Sequence, residues 1–125
     1  MSLETIRLSK TARDQLVWIK RHTGISHWNV LCRWALAVSL KDPSTPLVRE
    51  IVTDSNVEMS WRTFAGDHGD IYLALIQQRC VSDGEEPTDK NVANTLLVHL
   101  HRGVGYLHGM RDMRSISELI GLAVN

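Results

Sequence analysis

The stretch TIRLSKTARDQLVWIKRHTG, residues 5–24, changes its periodicity once, and that change decides the fold of this end of the chain. Over Thr5, Ile6, Arg7 and Leu8 polar and apolar side chains alternate, which sets Ile6 and Leu8 on one face and Thr5 and Arg7 on the other, as in a short half-buried strand. From Ser9 onward the apolar residues Ala12, Leu16 and Ile19 recur at helical spacing. Ser9 is the expected N-cap and Thr23-Gly24 the stop. Ser26 is the expected cap of a second helix whose inner stripe is Leu31, Trp34, Ala35 and Val38, ending before Asp42-Pro43. A strand this short cannot stand alone, and its expected partner is the same strand of a second subunit.

The charge follows the same division. Residues 1–41 hold seven Lys or Arg against two acids, a net of +5, whereas residues 42–125 hold seven against twelve, a net of −5. A formal charge of zero thus conceals a dipolar chain whose basic end suits a polyanion. The length of 125 residues is enough for one domain that buries a core without disulfides or metal, here a basic strand-helix-helix module at 1–41 and an acidic helical extension at 42–125. The Met-Ser-Leu-Glu start has no signal-like pattern and no apolar run approaches the ~20 residues of a membrane helix, so the cytoplasm is the expected compartment.

Beyond residue 42 the signals are uneven. Leu47-Val48 and Ile51-Val52 suit a short helix or a turn; Val57, Met59 and Trp61 alternate with polar residues, so a second short strand near 57–63 and an irregular segment both fit. Asp67 or Asp70 caps a third helix through Cys80, with Ile71, Leu75 and Gln78 on one face. After the acidic turn of residues 82–87, Thr88 or Asp89 starts a long helix with the inner stripe Val92, Leu96, Leu100, Val104 and Leu107. Ser115 and Glu118 form a capping box for a last short helix. The expected class is mainly α, with one N-terminal strand and about five helices. Gly103, Gly105 and Gly109 each weaken the long helix by up to ~1 kcal/mol relative to alanine, so Gly105 and Gly109, one turn apart, are expected to let another helix approach closely.

Catalytic and metal chemistry find little support. His99, His101 and His108 lack the one-turn spacing of zinc ligands, and no C-x-x-C or H-x-x-x-H pair occurs, so they are expected to be hydrogen-bonded or surface histidines, with no metal and no cofactor. Cys32 and Cys80 both fall in apolar helical patterns, as packing thiols do. The glycine run of the long helix has no preceding strand and no Lys-Ser or Lys-Thr after it, so a phosphate loop is not expected there. Lys10 and Asp14, at i and i+4, suit a solvated ion pair, whereas Arg13 and Lys20 share a stripe with no acid opposite, which Arg21 extends toward Gly24, and this unpaired set suits phosphate contact. The four tryptophans suit core or interface anchors rather than base platforms.

From residue 5 to residue 40 the order strand, helix, glycine turn, helix resembles the ribbon-helix-helix family of DNA-binding modules. That resemblance implies outward Thr5 and Arg7 at base edges, and a backbone phosphate held at the second helix's N-terminus, where Gly24, Ser26 and His27 stand. A wider resemblance covers nearly the whole chain: ETIRLSKTARDQL at 4–16, KRHTGISHWNVLCRW at 20–34 and LVHLHRGVGYLHG at 97–109 are similar to the DndE family of bacterial DNA phosphorothioation, in which sulfur replaces a non-bridging phosphate oxygen. It implies a non-catalytic protein that binds double-stranded DNA, assembles with itself, as a tetramer in that family, and works with other phosphorothioation proteins.

The expected DNA-binding set is therefore Thr5, Arg7, Lys10, Arg13, Lys20, Arg21, Gly24, Ser26 and His27. Two other readings stand beside it: a transcriptional regulator that reads sequence through Thr5 and Arg7, and a protein-interaction scaffold built on the acidic half.

Overall fold

The computed structural model describes residues 4–110 of the 125. Strand β1 (Thr5–Arg7) leads into α1 (Lys10–Thr23) and α2 (Trp28–Lys41); after an irregular stretch come β2 (Glu58–Ser60), the short α3 (Trp61–Ala65), a single 3-10 turn, α4 (Gly69–Ser82) and α5 (Asp89–Gly109). Among the described residues the fold is mainly helical, with four long helices, one short one and a two-stranded antiparallel sheet. The last helix expected from Ser115 lies outside the described residues. Among the described residues no helix is long and apolar enough to cross a membrane.

The first two helices form where the sequence places them. Ser9 Oγ accepts the Ala12 N–H at 3.1 Å, and Gly24 at φ 75° closes α1 by donating its N–H to the Lys20 carbonyl, a left-handed cap that glycine adopts without strain. Ser26, however, is not the cap of α2. His27 holds that position and makes no side-chain cap hydrogen bond.

The partner of β1 is also corrected, because it belongs to the same chain. Thr5, Ile6 and Arg7 face Ser60, Met59 and Glu58 in antiparallel register. Leu8 and Glu4 extend the ladder through Leu8 N–H to the Val57 carbonyl and Trp61 N–H to the Glu4 carbonyl, and Ser55 Oγ donates to the Leu8 carbonyl at 2.7 Å. Residues 42–57 contain no regular element and carry the chain back to this edge. Of the two readings left open at 57–63, the strand forms. It ends at Ser60, whose Oγ caps α3 by accepting the Thr63 N–H, so Trp61 opens a helix rather than closing a strand.

Helix α5 is the core element, packed on α1, α2 and α4. Its stripe Val92, Leu96, Leu100, Val104 and Leu107 is fully buried, as the spacing predicts. On α4 the expected face is the outer one: Ile71 and Leu75 are 60% and 49% exposed, while Ile76 and Cys80 point inward. Apolar residues surround α4 on all sides, so helical period alone does not choose the buried face. The glycine that permits close helix approach is Gly103, which packs on the backbone of Ala35 in α2; a Cβ on Gly105 or Gly109 meets nothing within 4 Å among the described residues.

Candidate nucleic-acid interface

The basic end separates into side chains committed within the fold and side chains that are not. On β1, Thr5 and Arg7 face outward as expected, but the Arg7 guanidinium is ion-paired with Glu58 directly across the ladder, with Nε at 3.0 Å. Lys10 does not pair with Asp14; its backbone N–H binds Asp54 Oδ1 at 2.8 Å, and Asp14 instead takes the Arg13 guanidinium at 3.1 Å. These four residues keep exposed polar surface, yet Arg7 and Arg13 each have a carboxylate partner.

The far end of α1 differs. Lys20 is half-buried with its ammonium 4.5 Å from the centre of the Trp28 ring, a cation-π contact that ties α1 to α2. Arg21 is exposed and has no carboxylate within salt-bridge distance among the described residues. Both lie in the last turn of α1, where their charge complements the helix dipole. Exposed Gly24, Ser26 and His27 follow and deliver the chain to the N-terminus of α2, whose first N–H groups receive no side-chain cap. Ser26 and His27 line a hollow of about 290 Å³ with Trp28, Asn29, Glu58 and Thr63. Five of the nine expected site residues are therefore brought together at the α1–α2 turn. Thr5 and Arg7 adjoin it through Glu58, and Lys10 and Arg13 lie at the other end of α1.

Sequence reasoning missed His22, which stacks on Trp18 with ring centres 3.7 Å apart and bonds the Trp18 carbonyl through Nδ1. The signal was the i, i+4 spacing. His108 meets the same tryptophan edge-on at 5.3 Å, joining α5 to this surface.

Groups with chemical potential elsewhere are enclosed. Cys32 is buried and burial pushes its thiol up to about 12, with nearby Arg33 only partly opposing, which disfavours the thiolate. Ser39, His99 and Asp83 form a hydrogen-bonded series in which Ser39 Oγ donates to His99 Nδ1 at 2.8 Å and His99 Nε2–H donates to Asp83 at 2.7 Å. Ser39 also accepts from Arg102 Nε, and Ser39 and His99 are both 0% exposed, so no substrate can reach this hydroxyl. Its role is to join α2, α4 and α5. Asp83 also takes Arg79 Nε, and the Arg79 and Arg102 guanidiniums between them cover the carbonyls of Ser39, Leu40, Asp42 and Ser44 at the C-terminus of α2. His101 donates from Nδ1 to the Leu97 carbonyl and accepts the Ser9 N–H on Nε2, which fixes its neutral tautomer.

Burial holds His99 and His101 below the ordinary 6.5 despite the opposing bonds that they donate to Asp83 and to the Leu97 carbonyl. The unfolded chain binds protons at these imidazoles below 6.5 while the folded one does not, so stability falls as pH drops through that value. A second loss follows below 3.8. There the bond from the Tyr106 hydroxyl holds Asp42 down and the Lys10 N–H holds Asp54 down, while at Asp83 burial pushes up and the bonds from His99 and Arg79 outweigh it. Urea midpoints at about pH 7.5 and about pH 5.5 check the first stage: the lower pH is expected to lower the midpoint at constant slope. Equal midpoints would mean that the imidazoles titrate normally inside the fold.

Comparison with known proteins places these features. The family model described as DNA sulphur modification protein DndE matches residues 5–115. A crystal structure of DndE from Escherichia coli B7A, involved in DNA phosphorothioation modification, is similar at TM-score 0.67 and 21% identity, over 86% of this chain and 99% of that one. A crystal structure of a double glycine-to-lysine DndE mutant involved in DNA phosphorothioation is similar at TM-score 0.64 and 18% identity, over 86% and 98%. No curated protein matches.

Proposed function

This chain belongs to the DndE family of DNA sulphur modification proteins, and on that premise we propose that it is a non-catalytic component that holds duplex DNA by its backbone for the proteins that exchange oxygen for sulfur. The observation that carries this reading is the α1–α2 turn: Lys20, Arg21, Ser26 and His27 gather beside a helix N-terminus whose N–H groups have no side-chain cap. Cationic side chains and free amides are what a phosphate binds, and they carry no base information. At Gly24 a Cβ would meet nothing within 4 Å among the described residues beyond its chain neighbours, which leaves the approach open. Thr5, Arg7, Lys10 and Arg13 extend the contact along the duplex in this proposal, once Arg7 and Arg13 exchange their carboxylates for phosphates. Self-association, as far as a tetramer, is part of the same proposal. The exposed apolar face of α4, with Ile71 and Leu75, is compatible with it.

The sequence-reading regulator is less well supported. Its ribbon needs two copies of β1 paired with each other, and β1 here takes β2 of its own chain and commits Arg7 to Glu58. The test is duplex binding across a salt series for the parent and for Lys20→Glu with Arg21→Glu. Affinity for the parent is expected to be insensitive to base sequence and to fall with salt at a slope of about −0.9 per phosphate neutralised. The double variant is expected to bind at least about tenfold more weakly, with a slope shallower by roughly two such contacts. Unchanged affinity and slope would remove the turn from the interface.

A further inference from the structure

We propose that Glu58 is an internal competitor for the DNA phosphates, which holds Arg7 in the free protein and yields it only to a duplex, so that the surface joining β1 to the α1–α2 turn inhibits itself. The inference rests on the backbone-binding reading above and adds the residue that sets how tightly that surface binds.

The register of the sheet places the pair. Arg7 and Glu58 stand directly opposite one another, and period two turns both to the outer face, where Thr5 and Ser60 are the next opposed pair. Nε and Nη2 of Arg7 both donate to a single carboxylate oxygen, Glu58 Oε2, the first at 3.0 Å. A guanidinium edge of this kind takes a phosphate through two parallel bonds, and here a carboxylate of the same chain already occupies it.

Glu58 also reaches the other half of the candidate surface. It lines the hollow with Ser26 and His27 before α2, and it is the only acid among the described residues that line it. A carboxylate at that place repels an incoming phosphate while it holds the arginine. One side chain therefore opposes contact at both positions.

The restraint is a reversible one. Among the described residues the two side chains are 52% and 46% exposed, and an exposed ion pair adds little to folding and is weakened by salt. The ladder does not depend on it, because main-chain pairing and the buried Ile6 and Met59 hold β1 to β2. A single small anion offers Arg7 no more than Glu58 does, whereas a duplex already held at Lys20 and Arg21 presents a further phosphate at high local concentration. Displacement of Glu58 thus favours a polyanion over isolated phosphates.

Duplex affinity across a salt series tests the proposal, measured for Glu58→Gln, for Glu58→Gln with Arg7→Gln, and for Glu86→Gln. Glutamine keeps the shape of the side chain and removes its charge, and Glu86→Gln makes the same change of net charge at an exposed site outside the basic module. Glu58→Gln is expected to bind at least about fivefold more tightly than the parent, with a slope steeper by about 0.9 for one more phosphate neutralised. Glu86→Gln is expected to change affinity by less than about twofold, since salt screens a distant charge. Adding Arg7→Gln is expected to abolish the gain. Unchanged affinity in Glu58→Gln overturns the proposal, and so does a gain that Glu86→Gln reproduces or that survives the loss of Arg7. Weaker binding overturns it too, by making Glu58 the residue that orients Arg7 toward phosphate. If Lys20→Glu with Arg21→Glu weakens binding while Glu58→Gln leaves it unchanged, this inference falls alone; a parent that binds no duplex removes both.

Discussion

Gly103→Ala is expected to destabilise the protein by about 3 kcal/mol or more, at or above the upper end for overpacking, lowering the thermal midpoint on the order of 10 °C. An added Cβ would overlap the carbonyl carbon and oxygen of Ala35 and lie 2.9 Å from its Cα. Those are backbone atoms of a helix, which cannot turn aside as a flexible side chain does. Helices α2 and α5 would have to separate, loosening the packing of Leu31, Ala35, Leu100 and Val104. Alanine's better helix propensity returns only ~1 kcal/mol, too little to reverse the sign. Because the obstruction is a main-chain carbonyl, Ala35→Gly is not expected to rescue the variant. Thermal unfolding followed by circular dichroism checks both statements, and a Gly103→Ala protein melting with the parent would show that the two helices do not approach this closely.

The contrast among the three glycines indicates how far the sequence could be read. Their cost to a helix is visible in the sequence, because it depends on the residue and its local state. Which one touches a neighbour depends on the rotation of α5 against α2, and Gly103 and Gly105 point to different sides of one helix. The same limit explains α4. With Ile71, Tyr72, Leu73, Leu75, Ile76 and Val81 spread around its circumference, the buried face is chosen by the neighbours and not by the period. Where cap and stripe agree, as in Ser9 with Ala12, Leu16 and Ile19, or Thr88 with Val92 to Leu107, the elements form as read. The partner of β1 was hidden for another reason: Ser55 to Ser60 must cross from the end of an irregular stretch to reach it, and no local pattern records that route.

The candidate DNA surface was legible to a similar degree. Charge counting located the basic end, since net charge is a sum over residues. It did not separate Arg7 and Arg13, which Glu58 and Asp14 neutralise, from Lys20 and Arg21, which keep their charge beside the α2 terminus. Asp14 stands one residue from Arg13, outside the i+4 spacing that pairs charges along a helix, and the Arg13 guanidinium nonetheless reaches it. Glu58 lies in another element altogether. Nor could the sequence join Ser39, Arg79, Asp83, His99 and Arg102, because three separate helices bring them together.

That buried polar assembly carries the second large effect: Asp83→Ala is expected to destabilise the protein by roughly 3 to 5 kcal/mol, the range for removing one partner from a buried ion pair. The carboxylate side chain is 3% exposed, takes Arg79 Nε on one oxygen at 3.0 Å and His99 Nε2–H on the other at 2.7 Å. Its loss leaves a guanidinium that is itself only 12% exposed without a counter-charge, and an imidazole N–H without an acceptor. Arg79 cannot leave for solvent cheaply, because it also holds the carbonyls of Leu40, Asp42 and Ser44 and so fixes the loop that follows α2. Asp83→Asn should cost about half as much, since the amide oxygen still accepts from Arg79 and only the charge and the His99 contact suffer. His99 has a further use in the test. In the parent, the bond to Asp83 raises the imidazole while burial lowers it, so removing the carboxylate drives it lower and makes the residual stability steeper in pH below 6.5. Urea unfolding of the three proteins at about pH 7.5 and about pH 5.5 measures both quantities. An Asp83→Ala loss under about 1 kcal/mol would mean that water already screens the pair, as it does for exposed ion pairs, and that the junction of α2, α4 and α5 is held by apolar packing alone.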